Sequence, residues 1–194
     1  MAPRWPDGSP AADGWTIRSS RPVVRDRHLH LDAEACVTRT GAVIDPYWVI
    51  RYPDWVLVVA LTPGDALVCV RQWRHGARAW VLEPPAGAID PGDADACATA
   101  RRELLEETGY DAAGFRVVAT PWSDPAHNSN RLHVVLAEAA VPVAAPRREP
   151  GEDMETVLLP LAEALAGLPE GLFGQGLHVG GLLLALRAAG RVAF

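Results

Sequence analysis

The stretch RRELLEETGY, residues 101–110, constrains this chain more than any other. Glu103, Glu106 and Glu107 crowd together just ahead of Gly109, and a glycine there readily takes the left-handed conformation that ends a helix. The spacing predicts a helix from Asp95 to Thr108. At ~100° per residue the three glutamates share roughly a third of its circumference. Cys97, Ala98, Leu104 and Leu105 fall on the opposite side, so one face is expected to be core and the other acidic.

An acidic face of this kind needs a partner. Like charges three or four residues apart on a helix repel by about 0.2–0.5 kcal/mol per pair. A solvated face normally mixes signs, yet position 110, which could answer Glu106, is Tyr, and position 111 is Asp. Glu106 and Glu107 also sit in the last turn, beside the negative end of the macrodipole, where cations are preferred. A hard divalent cation answers both problems, because Mg2+ or Mn2+ takes carboxylate oxygens while keeping waters and substrate phosphates in its shell. The pattern therefore points to metal-assisted phosphate chemistry.

Composition narrows the alternatives. A chain of 194 residues suits one core better than two, since domains typically hold ~100–150 residues. The net charge of −6 and the lack of a basic run argue against nucleic acid as a partner. None of the 18 basic residues is lysine, which excludes a P-loop lysine and a Schiff base. No apolar run is long enough to span a membrane. Cys36, Cys69 and Cys97 are far apart and form no CxxC pair, which fits a reducing cytoplasm rather than a disulfide framework or a zinc site. The Pro- and Gly-rich start is expected to be a flexible tail over residues 1–20, without the apolar core of a signal peptide.

Residues 21–74 read mostly as sheet: RHLHLDAEACV, GAVIDPYWVIRY and WVLVVAL, then the turn TPGD into ALVCVRQW. WVLE is a further short strand before a Pro/Gly-rich loop. Asp90, Asp93 and Asp95 lie where an N-cap and a negative charge both favour the start of the following helix. FRVVAT, RLHVVLAEA and TVLLPL read as strands, LAEALAGL and GLHVGGLLLALRAAG as helices, and APRREPGEDMET as a polar loop. Strands mixed with a few helices imply an α/β or α+β sandwich.

RELLEETGY, residues 102–110, resembles the second half of the Nudix hydrolase signature, with Gly87 supplying its start. The first half departs: Asp93 stands where the family has Glu, and eight residues rather than seven precede Arg102. Either the loop is one residue longer or Asp95 takes over the role of Asp93. VRQWRHG (70–76) and LEPPAG (82–87) resemble the flanks of the ADP-ribose and nucleoside-diphosphate-sugar pyrophosphatases. The likeness runs from about residue 20 to 190. It implies a Nudix-type α/β/α sandwich with a mixed sheet, as a single domain over 21–194. Within it, residues 21–50 would form an N-terminal β arm that exchanges across a homodimer, and residues 51–194 the catalytic core.

The resemblance also implies roles. Glu103, Glu106 and Glu107 with the carbonyl of Ala86 would hold Mg2+, Mn2+ being a possible substitute. Arg102 would orient the carboxylates, and its alternative is a surface salt bridge. Glu152 is chosen as general base from a loop that also offers Glu149 and Glu155. Arg74 would take the diphosphate or terminal ribose, unless it serves a structural pair, and Glu83 a ligand hydroxyl or metal. Trp48, Trp55 and Trp73 read as core, though one could stack on a base. Arg131 lies in SDPAHNSNRLHVV, equally a polar loop or a substrate contact. The implied reaction is Mg2+-dependent hydrolysis of ADP-ribose, or a related nucleoside diphosphate sugar, to a nucleoside monophosphate and a sugar phosphate. The alternatives are a nucleoside triphosphate pyrophosphatase and a non-catalytic ADP-ribose sensor.

Overall fold

The computed structural model describes residues 14–194. Of the expected tail, residues 1–13 lie outside the described residues, and Thr16–Ser20 already belong to a strand. The chain divides into two compact units, one made of the residues up to Tyr52 with Asp124–Asn130, the other of Pro53–Ser123 with Arg131–Phe194. Among the described residues no helix is long and apolar enough to cross a membrane.

In the first unit, β1 (Thr16–Arg25), β2 (His30–Val37) and β3 (Val43–Ile50) form an antiparallel sheet with β2 in the centre. Asp32 and Glu34 of the central strand are buried, and arginines answer them: Arg25 and Arg51 bind Asp32, and Arg51 Nη2 reaches Glu34 Oε1 at 2.7 Å. Asp124–Asn130 joins this unit through the Tyr47 hydroxyl, which donates to the Ala126 carbonyl, and a bridge from Ile50 to Asn128.

The second unit begins with β4 (Trp55–Leu61) and β5 (Ala66–Arg74), joined by the expected turn, in which Asp65 N donates to Thr62 O at 3.1 Å. β4 is apolar at every position, and successive side chains of a strand point to opposite faces, so it demands a layer on each side. The sheet receives both. Val56, Val58 and Ala60 pack with Ala96, Ala100 and Leu104 of α1 (Ala96–Thr108). Leu57, Val59 and Leu61 pack on the other face with Leu161 and Ala164 of α2 (Leu161–Gly167) and with Leu182, Ala185 and Leu186 of α3 (Gly176–Ala188). At Gly181 of α3 a Cβ would stand 2.5 Å from a Leu57 methyl carbon, so this helix lies close against the strand.

β4 and β5 pair only near their turn, at Ala60 with Val68 and Leu61 with Leu67, and then separate. The intervening chain lines both sides of the split: β6 (Ala79–Glu83) pairs with β5, and β7 (Ala86–Ala88) pairs with β4. By sequence alone residues 84–93 read as loop throughout, and β7 is a correction. Pro84 and Pro85 separate the two strands, and proline cannot donate to a ladder. β8 (Tyr110–Asp111), β9 (Gly114–Ala119), β10 (Leu132–Glu138), β11 (Val141–Pro142) and β12 (Met154–Pro160) follow. The path β12-β5-β4-β10-β9 is mixed, because β10 runs parallel to β4, and β8 pairs separately with β11. The unit is an α/β/α sandwich.

Candidate active site

The start of α1 resolves the irregular spacing before Arg102. Asp95 caps the helix, accepting from the backbone N–H of Cys97 and Ala98 at 2.9 Å each. Asp93 accepts from the Thr99 hydroxyl at 2.9 Å and from Arg102 Nη2 at 3.0 Å. The Arg102 guanidinium, with Thr99 as a lesser cause, holds the Asp93 carboxyl down to about 2. Arg102 also reaches Glu103 Oε1 at 2.7 Å, Glu106 Oε2 at 3.1 Å, Asp90 Oδ2 at 3.5 Å and the Ala88 carbonyl at 3.2 Å. It thus gathers the loop after β7 and the acidic face onto one guanidinium, whose planar fork suits several carboxylates at once. Glu106 has its helical counter-charge four residues before it, not after.

The faces of α1 differ from the expected ones. Ala96, Ala100 and Leu104 form the core side, Leu105 and Ala98 are exposed, and Glu103 and Glu107 are buried. The acidic face is turned inward because β7 and the 147–152 loop enclose it, in a pocket of about 350 Å³ lined by Ala86, Gly87, Arg102, Glu103, Glu106, Glu107, Arg147, Glu149 and Glu152 among others. A Cβ on Gly87 would stand 2.1 Å from the Glu103 carboxylate, so only glycine leaves that carboxylate its place.

Burial first, and then the charges of Glu103 and Glu152, push the Glu107 carboxyl up to about 8 against the backbone N–H of Ala86. Its Oε2 is buried without a hydrogen-bond partner, an arrangement that is costly unless something else supplies the interaction. Burial likewise raises Glu103, opposed by Arg102. Among the described residues no three His, Cys, Asp or Glu side chains form a ready cage for a metal ion. Arg102 Nη1 takes one oxygen each of Glu103 and Glu106. The donors nonetheless fit a hard cation: an orphaned carboxylate oxygen, a second buried carboxylate and a pocket lined by oxygen ligands rather than sulfur or imidazole.

The loop before β12 separates the three candidate bases. Glu149 and Glu152 both line the pocket. They close a turn in which Glu152 N donates to Glu149 O at 2.9 Å and Glu149 N to Glu152 Oε2 at 2.8 Å. Glu155 is instead on β12, paired with Arg71 at 2.8 Å. Arg147, which no sequence motif singles out, lines the pocket as well.

A second pocket of about 440 Å³ is lined by Trp55, Arg74, Ala77, Val81, Glu83, Gly174 and Gln175. Glu83 and Ala86 are close in sequence, so the short turn through Pro84 and Pro85 carries a wall of each pocket. Arg74 is committed to Glu83, with Nε and Nη2 each 2.7 Å from Oε2. Behind Glu83 lies His178 of α3, likewise unmarked by any motif. It is 1% exposed, with its ring centroid 5.7 Å from that of Trp55 and its Nδ1 3.5 Å from Glu83 Oε1. Burial, with a smaller effect from Arg74, lowers its pKa to about 4. The imidazole is therefore neutral near pH 7 and forms no ion pair, and neither ring nitrogen has a hydrogen bond. A lone histidine in the apolar run GLHVGGLLL is the only sequence signal for it.

Arg131 lines neither pocket. Its guanidinium lies 3.8 Å from the Trp122 ring centre, and Nη1 donates to the Thr120 carbonyl at 3.2 Å. Nor are the three tryptophans alike: Trp55 packs on the core, while Trp48 and Trp73 are 41% and 39% exposed.

The NUDIX domain family matches residues 51–174. The chain is 33% identical to an ADP-ribose pyrophosphatase of Bacillus subtilis over 119 residues, which cover 60% of this chain and 63% of that relative. It is 29% identical to the ADP compounds hydrolase NudE of Escherichia coli over 140 residues, 71% and 74% of the two chains. A crystal structure of an ADP compounds hydrolase superposes with a TM-score of 0.80 at 26% identity, over 95% of this chain and 100% of that one. The match to the Bacillus relative spans less than two thirds of its length.

Proposed function

Because the chain belongs to the Nudix family, we propose that it hydrolyses the pyrophosphate bond of ADP-ribose or a related nucleoside diphosphate sugar with Mg2+, giving a nucleoside monophosphate and a sugar phosphate. The observation that carries this reading is the buried pair Glu103 and Glu107, with an orphaned Oε2, beneath a loop that brings Glu152 to the same pocket. Similarity to proteins described as ADP-ribose pyrophosphatase and ADP compounds hydrolase supports the substrate class.

Glu103, Glu107 and the Ala86 carbonyl would hold Mg2+ or Mn2+, with Glu106 a further or water-mediated ligand. When bound, the metal neutralises the non-bridging phosphate oxygens and so lowers the barrier to attack. Arg102 keeps Glu103 and Glu106 side by side despite their like charge. Glu152 accepts a proton from the attacking water. The water oxygen bonds to one phosphorus, the bond from that phosphorus to the bridging oxygen breaks, and the leaving phosphate keeps the bridging electrons. In the second pocket Arg74 and Glu83 would hold the rest of the ligand, the arginine by phosphate oxygens and the carboxylate by a hydroxyl. Arg131, stacked on Trp122, would be a further substrate contact outside the two pockets.

Purified protein given Mg2+ and a panel of nucleoside diphosphate sugars is expected to release a monophosphate and a sugar phosphate, identified by mass, and Glu107→Gln to abolish the release. Pyrophosphate from a nucleoside triphosphate would replace this reading with the triphosphate one. Tight ADP-ribose binding without turnover would replace it with a sensor. The first unit exposes Trp15, Ile17, Val43 and Trp48, which supports pairing with a second copy, and a monomeric mass in solution would overturn that pairing. Cys36, Cys69 and Cys97 are free, in keeping with work in a reducing cytoplasm.

A further inference from the structure

We propose that Arg148 is a positioning residue that fixes both ends of the 149–153 loop, and so sets Glu152 over the buried glutamates. The proposal rests on the reading of Glu152 as the proton acceptor.

Three separate donors of the Arg148 guanidinium meet three separate acceptors. Nε donates to the Glu107 carbonyl at 3.0 Å, Nη1 to the Met154 carbonyl at 2.7 Å and Nη2 to the Thr156 hydroxyl at 2.7 Å. The first acceptor is in the last turn of α1, and the other two are on β12. Helix carbonyls in a last turn have no partner within the helix, and the last turn of α1 holds no basic residue of its own. Arg148 supplies both the missing donor and the cation that the negative end of the macrodipole favours, from 41 residues away.

The loop between these anchors is short. Arg147 N donates to the Glu106 carbonyl at 2.8 Å before it, and Trp73 N to the Asp153 carbonyl at 3.1 Å at its end. Between them Glu149 and Glu152 close their own turn and face the pocket. Among the described residues, Arg148 alone joins the helix to the strand across this bridge with its side chain. Lysine cannot replace it, because an ammonium is a compact point charge, whereas the guanidinium presents a rigid fork toward acceptors on different sides.

The test uses Arg148→Met, Arg148→Lys, Thr156→Val, Glu152→Gln and the double variant Arg148→Met with Glu152→Gln. In metal-free protein, amide hydrogen exchange of residues 149–153 should quicken in Arg148→Met while exchange in the middle of β4 stays unchanged. Turnover should fall by about tenfold or more with KM within about twofold, the pattern of a lost transition-state interaction. Arg148→Lys should recover little of it, and Thr156→Val, which removes one acceptor and keeps the fold, should fall between wild type and Arg148→Met. The double variant should be no slower than Glu152→Gln, because Arg148 acts through Glu152. Unchanged exchange in the loop overturns the proposal, and so does a double variant slower by the full Arg148→Met factor. Should Arg148→Met fail to fold, Thr156→Val decides by the same two readouts. A wild-type protein inactive on the whole substrate panel would remove the proposed function, and the exchange measurement would still decide whether Arg148 holds the loop.

Discussion

Glu107 combines burial, two neighbouring carboxylates and an unpartnered oxygen, and each works against its ionised form. Its folded pKa of about 8 stands above the ordinary value of 4.5. The unfolded chain therefore releases this proton first, and the contribution to stability is full below 4.5 and lost as pH rises to about 8. Glu107→Gln should then raise the melting temperature of metal-free protein near pH 8, by an effect on the order of a few kcal/mol, while removing any stabilisation by added Mg2+. A melting curve in chelator and in Mg2+ checks both signs. Gly87→Ala tests the same pocket from the opposite wall. The new methyl meets the end of a side chain rather than backbone, so Glu103 should shift and Mg2+ affinity fall with little change in melting temperature. Titration calorimetry with the metal alone reads this. The resemblance marked Gly87, but the physical reason for a glycine there needed the structure, because it arises from a contact across the pocket.

At the scale of elements, α1 was legible because its signals are local: an aspartate cap and Gly109, which takes φ 77°. What was misjudged was the environment of its faces. Leu105 belongs by hydrophobicity to the core, but the sheet meets the helix along Leu104, and the loop before β12 encloses the glutamates instead. Arg148, which holds the Glu107 main-chain carbonyl, and His178, which lies behind Glu83, come from distant parts of the chain, and no spacing rule reaches that far. The spacing anomaly before Arg102 was visible, yet its solution needed the pairing of Asp93 with Arg102. Gly109→Ala should be severely destabilising, since a Cβ there would stand 2.1 Å from the Ala144 carbonyl oxygen in addition to the positive φ. Asp95→Ala should cost about 1 kcal/mol, the usual value for a lost cap, and chemical denaturation would separate the two.

For the molecule as a whole, opposed buried groups shape the pH dependence. His178 has a folded pKa of about 4 against an ordinary value of 6.5. Its contribution is full above 6.5 and lost as pH falls toward 4, because the unfolded chain binds the proton first. From these two groups metal-free protein should be most stable where the windows overlap, about pH 4.5–6.5, because the opposed slopes cancel there, and His178→Phe should remove the loss on the acid side and leave a fall from 4.5 upward, as melting temperatures across pH would record. The layered sheet itself was readable from the apolar runs of β4, β5 and β10. The joining of Asp124–Asn130 to the first unit does not show in composition.

The grip of Arg148 has a bearing on how such a chain can change over generations. Two of its three acceptors are main-chain carbonyls, which every amino acid provides. Substitutions at positions 107 and 154 leave those anchors in place, and the residues between Arg148 and Met154 form a cassette held by its ends. Its sequence is open to exchange while its length is not, so a new chemistry could be installed there by point changes, without rebuilding the helix or the strand that frame it.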